Sequence, residues 1–434
     1  MNFTEKRLLE NAVHIPTIMV PLNTRDHSLW PSFSYRNFDL NESIEASFQP
    51  GYLLSSKDYL IDPDLINTPK ERAMRRKVLA NMKRSLKTGF FTEHKGFILT
   101  KRVSNTGHER YGLLLLLDYE RYQNESELSI KRAKTFDYDI ASHQLETMKN
   151  SLFDFPYASG LIEDESLSLI EPLVSSIFHF KLIYSFTNPI FGLYEGYLIN
   201  TPQHFTLINN AIQKLFKNAT LMKKPTFIIH EGIESFESGS LNWKRLKEKQ
   251  SKIPANHPAR FQLVEIFNIF SDSLNLTPCN LALANTDLDE FVAEIRKETK
   301  IKVENFKSLD DLTTAISGRS IKYGSMCYGL VANEVYKLMT FLEPESNLPL
   351  INLESFISQY LTKRPFDFKY NISIDEISTN LKADKTCYVI MPPIKKKTFF
   401  EDVLTFGPLK DYVFCSNSPI NERFLFESRK ITLP

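Results

Sequence analysis

The chain has 434 residues, with 53 Lys and Arg against 52 Asp and Glu and a formal net charge of +1. Phosphate contacts dominate nucleic-acid affinity and call for a basic surplus, so the totals argue against a general polynucleotide role while leaving room for a local patch. Hydrophobic residues at 42% and aromatics at 12% exclude a disordered chain.

In chain order, residues 1–20 read as a mixed-charge turn and then a short edge strand or extended arm bracketed by Pro16 and Pro21. Residues 69–88 place Met74, Val78, Leu79, Met82 and Leu86 at helical spacing, with Gly89 as the stop. Eight basic residues occupy the rest of that helix, either as a solvated face or as a surface for an anionic ligand. Two β-rich runs, Gly96–Arg102 and Tyr111–Tyr119, flank a polar turn at Asn105-Thr106-Gly107 and predict a hairpin. The second run is apolar on both faces and predicts a buried central strand. Helices are expected over 139–150, 165–185, 203–224, 286–298, 309–317 and 331–342. Strands are expected over 194–199, 388–391 and 423–426.

This interleaving predicts an α/β (mixed α+β) architecture of mixed sheets flanked by helices. It divides provisionally into an N-terminal region 1–222, a core region 223–300 and a C-terminal region 301–434. The four cysteines are widely spaced, with no CxxC, and read as reduced, structural residues. No run approaches the ~18 apolar residues of a membrane helix. The opening carries no hydrophobic region behind its charges, so a cytoplasmic protein is expected.

Chemistry is expected in residues 225–270. Strand Pro225–Ile229 enters a polar loop, His230-Glu231-Gly232-Ile233-Glu234-Ser235, followed by a helix over 240–250 with Ser240 as N-cap. A second loop, Asn256-His257-Pro258-Ala259-Arg260, precedes a strand over 261–270. Such a unit sets a loop and a helix N-terminus at a sheet edge, where ligands commonly bind. Glu231, Glu234 and His230 are either a divalent-cation set or an acidic surface turn. The odd offset between Glu265 and Asn268 puts them on opposite faces of their strand.

His257-Pro258-Ala259-Arg260 and Val264-Glu265-Ile266-Phe267-Asn268, with Trp243, Lys244 and Lys247 between the loops, resemble the signature of the domain-of-unknown-function family 1015. The segments Leu9–Pro16, Ile130–Ala133, Phe155–Asp164 and Glu422–Ile431 are similar to its other motifs, so the resemblance covers the whole chain. The departures fall on polar positions. The family's Asp-Gly-Asn-His-Ser is here Glu231-Gly232-Ile233-Glu234-Ser235, and its Pro-Ile-His-Arg is Pro278-Cys279-Asn280-Leu281. Its Ala-Cys-Asp-Gln is replaced by Pro31–Arg36, and its Gly-Glu-Ala by Ser416–Pro419.

The resemblance implies a sulfiredoxin- or ParB-like element around residues 225–270. It also implies an ancestral nucleotide-dependent kinase acting on a small-molecule, serine-type hydroxyl. Two readings stay open. In one, the chain is a catalytically silent scaffold that binds a small ligand or a protein partner. In the other, it is a phosphotransferase using ATP or ADP with Mg²⁺ in a rebuilt site. Glu231 would be the base, Glu234 a metal ligand and His257 and Arg260 the phosphate-side groups, with Gly232, Ser235, Arg132, Glu265 and Asn268 binding the ligand.

Overall fold

The leucine run of residues 113–117 lies near the middle of the largest sheet, buried on both faces. The structure, a computed structural model, describes residues 3–22, 30, 56–62, 65–105, 107–122, 129–155, 157–188, 192–250, 252–274, 276–322, 326–346, 348–363, 368–370, 372–381, 386–410, 413–415 and 425–433. The chain forms two units, one of residues 1–274 and 418–434 and the other of residues 275–417. The stretches Pro31–Arg36 and Ser416–Pro419 and the start of the expected strand at 423–426 lie outside the described residues.

The first unit opens with α1 (Phe3–Glu10), β1 (Val13–His14) and β2 (Thr17–Pro21). It continues through α2 (Glu71–Lys87), β3 (Phe91–Lys95), β4 (Phe97–Val103), β5 (Glu109–Asp118), β6 (Ile130–Arg132), α3 (Tyr138–Met148), β7 (Phe153–Asp154) and β8 (Ala158–Ile162). Then follow α4 (Ile170–Ser175), β9 (Lys181–Asn188), β10 (Gly192–Ile199), α5 (Pro202–Leu221), β11 (Phe227–Glu231), α6 (Ile233–Lys249) and β12 (Phe261–Asn268). Among the described residues a nine-stranded sheet runs β6-β11-β8-β12-β5-β4-β10-β9, with β1 beside β5. The β6–β11 and β8–β12 pairs are parallel, and the remaining pairs are antiparallel.

Side chains alternate between the faces of this sheet. Leu113, Leu115, Val264 and Ile266 meet Ile208 and Ile212 of α5 and Phe236 and Trp243 of α6. On the other face Leu114, Leu116 and Leu263 meet Trp30, Val78 and Met82 of α2, and Phe153. Residues 425–433 close this second core. Phe426 is buried in it, its carbonyl accepts from Trp30 Nε1 at 3.0 Å, and Ser428 and Met19 exchange backbone hydrogen bonds at 2.7 and 2.9 Å. The closing strand Arg429–Lys430 pairs with β7.

The second unit holds β13 (Thr277–Pro278), β14 (Leu281–Ala284), α7 (Leu288–Glu298), β15 (Ile301–Phe306), α8 (Leu309–Lys322), β16 (Met326–Ala332) and β17 (Val335–Phe341). After these come α9 (Pro349–Lys363), β18 (Phe368–Tyr370), α10 (Ile374–Asn380), β19 (Thr386–Ile390), α11 (Phe399–Phe406) and β20 (Phe414–Cys415). Its main sheet, antiparallel throughout, runs β15-β17-β16-β19-β14-β18. The expected class, mixed α/β with sheets flanked by helices, is the observed one. Among the described residues no helix is long and apolar enough to cross a membrane.

Five local expectations need correction. Residues 331–342 form the β16–β17 hairpin instead of a helix, because Asn333 and Glu334 both take positive φ (48° and 61°), the signature of a tight two-residue turn. Residues 165–185 hold the short α4 and a single 3-10 turn, Ile177–His179, before β9 begins at Lys181. The opening turn is the helix α1. The helix expected from Ser240 starts at Ile233. Cys279 is disulfide-bonded, while Cys327 and Cys387 are free and buried as expected.

Candidate functional site

Strand β11 turns into α6 through one residue. Gly232 caps the helix at φ 65°, and a Cβ there would stand 2.3 Å from the Tyr157 carbonyl oxygen. Only glycine accepts both the left-handed backbone and that approach. His230 and Glu231 therefore belong to the strand, and Glu234 and Ser235 to the first turn of the helix.

Glu234 is buried and its Oε1 accepts the Asp137 backbone N–H at 3.3 Å. Asp137 itself caps α3, accepting from the backbone N–H groups of Asp139 and Ile140. One turn on, Glu237 receives hydrogen bonds from Arg132 Nη1 and the Tyr122 hydroxyl. The Arg132 guanidinium also covers the Phe136 ring at 4.8 Å. Ser238 Oγ reaches the Ala141 carbonyl at 2.8 Å. The polar side chains of this end of α6 thus fasten it to β6 and α3. Among the described residues no three His, Cys, Asp or Glu side chains are arranged to hold a metal ion, and Glu234 is turned to a backbone amide.

Ser235 borders a cavity of about 80 Å³ with Tyr59, Gln144, Asp154, Phe155 and Tyr157 among its walls. A liquid water occupies about 30 Å³, so the space takes a few waters or one end of a small organic molecule. Asp154 is paired with Arg429, Oδ1 to Nε at 3.1 Å, and its burial raises its pKa against the pull of that guanidinium.

His257 and Arg260 belong to the loop before β12, whose Pro258 carbonyl accepts from Arg429 Nη1 at 2.8 Å, so that Arg429 ties this loop to Asp154. His257 Nδ1 accepts the Ala259 N–H at 3.1 Å, its ring lies beside Trp243 at 5.9 Å, and burial lowers its pKa. Arg260 forms a bidentate pair with Asp118, Nε to Oδ1 at 2.8 Å and Nη2 to Oδ2 at 2.5 Å, and gives Nη1 to the Ala255 carbonyl at 2.9 Å. Across the sheet, Glu231 and Glu265 are both in register with Ser159. Arg260 precedes Glu265 by five positions, about 16 Å along an extended strand. The helix gives the same measure, since ten residues from Ile233 to Trp243 span about 15 Å. Glu231 and the His257–Arg260 pair are held about 15 Å apart along α6.

Glu265 and Asn268 occupy opposite faces. Asn268 Nδ2 donates to the Asp164 carbonyl at 2.9 Å and to Glu171 Oε1 at 3.1 Å. Glu265 accepts from Thr100 Oγ1 at 2.5 Å on a face that carries buried charged side chains outside the family motifs. Arg102 and Arg110 stand directly opposite one another in the β4–β5 register, both almost fully buried, as is Lys134. The Arg110 guanidinium lies 4.3 Å over the Phe267 ring. His230 is buried against the same ring, at 6.3 Å. Burial first, then the positive charges of Lys134 and Arg110, push its pKa down to about 3. The available signal was the alternation Ile98-Thr100-Arg102 on the face of Leu114 and Leu116.

The family described as "Protein of unknown function (DUF1015)" matches residues 59–356. The chain belongs to that family. Among solved structures, this DUF1015 chain is similar to a "Free serine kinase in complex with AMP", at 10% identity and TM-score 0.36, covering 73% of this chain and 92% of that one. It is also similar to a "Conserved hypothetical protein from Pyrococcus furiosus", at 6% identity and TM-score 0.33, covering 73% and 95%. No curated protein matches.

Proposed function

We propose that this DUF1015 member is catalytically silent and keeps the scaffold for binding a small ligand or a protein partner, with the cavity beside Ser235 as the ligand's seat. One observation carries this reading: the side chains cast as phosphate-side and ligand-binding groups are bound within the fold. Arg260 is clamped on Asp118, Arg132 on Glu237, and His257 Nδ1 receives a backbone amide. To use Arg260 on a phosphate would expose the Asp118 carboxylate, whose side chain is 0% accessible, and stripping one partner from a buried pair costs about 3–5 kcal/mol. Phosphoryl transfer needs positive groups gathered on one phosphate with a base in line. The separation of Glu231 from Arg260 works against that.

A second reading, a phosphotransferase using ATP or ADP with Mg²⁺ on a serine-type hydroxyl, draws support from one feature. The buried cations Arg110 and Lys134 beside His230 are a group of positive charges that the motif residues do not supply. The test is a thermal shift with ATP and ADP, with and without Mg²⁺, alongside a fragment screen monitored by the fluorescence of Trp30, which contacts the cavity walls Tyr59 and Phe155. Silence toward nucleotide in every condition, with fragments perturbing Trp30, is the expected result. A Mg²⁺-dependent nucleotide shift would overturn the first reading in favour of the second.

A further inference from the structure

Helix α2 divides its charge by face. At about 100° per residue, the exposed Arg72, Arg76, Lys77, Lys83, Arg84 and Lys87 fall within an arc of roughly 140°. The helix's one acid, Glu71, lies outside that arc and is bound to Arg75 at 2.5 Å. Val78, Met82 and Ser85 occupy the buried side. Among the described residues none of the six exposed cations is in an ion pair, and the only side-chain bond among them is Arg84 to Asn81 within the helix. Arg72, Arg76, Lys83 and Lys87 form one flank and Lys77 and Arg84 the other, with the exposed Ala73 and Ala80 between them.

We infer that this face of α2 is a docking surface for a B-form DNA duplex, held through its phosphates. The six cations span about 22 Å of helix axis, roughly one charge per 4 Å. A duplex presents about one phosphate per 1.7 Å, so every cation finds a counter-charge. The two flanks separated by alanines suit a groove about 12 Å wide with phosphates on both walls, where small central residues let the helix come close. A lipid surface also attracts cations, but the apolar side of α2 is used in the core and leaves no edge to enter a bilayer. A whole-chain charge of +1 is compatible with this because the surplus is local.

The experiment is fluorescence anisotropy of a labelled duplex of about 20 base pairs with the full chain between about 50 and 200 mM salt. Six phosphate contacts give a log–log salt slope of about −5, or roughly a thousandfold weakening across that range. The triple variant Arg76→Gln, Lys83→Gln, Arg84→Gln, on exposed positions and checked by its melting curve, is expected to bind at least ~10-fold more weakly with a slope near −3. Polyglutamate and anionic phosphatidylserine vesicles are run in parallel and are expected to bind more weakly than the duplex. No binding to the duplex at low salt overturns the inference. So does a triple variant with an unchanged slope, or tighter binding to either competitor.

Discussion

The two ends of strand β12 handle charge differently. At its start each polar group has a specific partner: Arg260 on Asp118, His257 on the Ala259 amide, Arg429 on the Phe261 carbonyl. Further along, Glu265 shares its face with the buried Arg102 and Arg110, beside which His230 is kept neutral by burial and by the charges of Lys134 and Arg110. One-to-one pairing is how a fold fastens a loop. A histidine buried beside cations ties the stability of the fold to protonation. The family motif residues at the start of β12 are fasteners, and the largest histidine shift among the described residues lies elsewhere, at His230.

The largest effect should come from acid. His230 has a folded pKa of about 3 against about 6.5 when unfolded. Between those values the unfolded chain binds the proton and the folded chain does not, so stability falls as pH drops from 6.5 toward 3. Burial sets an upper limit of roughly 4–5 kcal/mol on this loss, at about 1.4 kcal/mol per unit. Urea titrations at several pH values check it, and His230→Gln should flatten the slope. An unchanged slope would mean that the buried charges are not coupled to the histidine.

Next is Arg260→Ala, which leaves the buried Asp118 carboxylate alone. A loss of about 3 kcal/mol in chemical denaturation is expected, with Arg260→Met plus Asp118→Leu recovering much of it. A loss below about 1 kcal/mol, the range of exposed pairs, would show that the pair is not a fastener. Gly232→Ala should cost about 2–3 kcal/mol, from the left-handed backbone and the contact with the Tyr157 carbonyl. A neutral result would show that the strand and helix can part at this point. Smallest is Thr100→Val, which removes the hydroxyl donating to Glu265. About 1–2 kcal/mol is expected, read from the same denaturation curves.

Much of the fold was legible in local periodicity. The hairpin of β4 and β5, the helix α2 ending at Gly89 with φ 62°, and the strand β12 all announce themselves within a dozen residues. The β16–β17 hairpin did not, because Val331, Val335, Leu338 and Phe341 also satisfy a helical spacing, and the two left-handed turn residues that decide the matter are Asn and Glu rather than Asn-Gly. The short α4 hid the start of β9, whose Leu182 is exposed and blurs the alternation. The candidate site was less legible. Glu231, His257 and Arg260 stand in motifs, but the distance between them is set by the sheet register, which no local pattern carries. Arg102 opposite Arg110 is likewise a pairing across strands, invisible until the hairpin's register is known.

The closing segment has a consequence for the order in which the protein can be built. Residues 275–417 form their own unit, so the ribosome completes that unit before it makes Phe426, Ser428 and Arg429, which finish the core of the first. Until then β7 lacks the closing strand and Trp30 lacks its carbonyl partner. A stop codon just before residue 425 would therefore take away residues that finish the core of the part of the protein synthesised first.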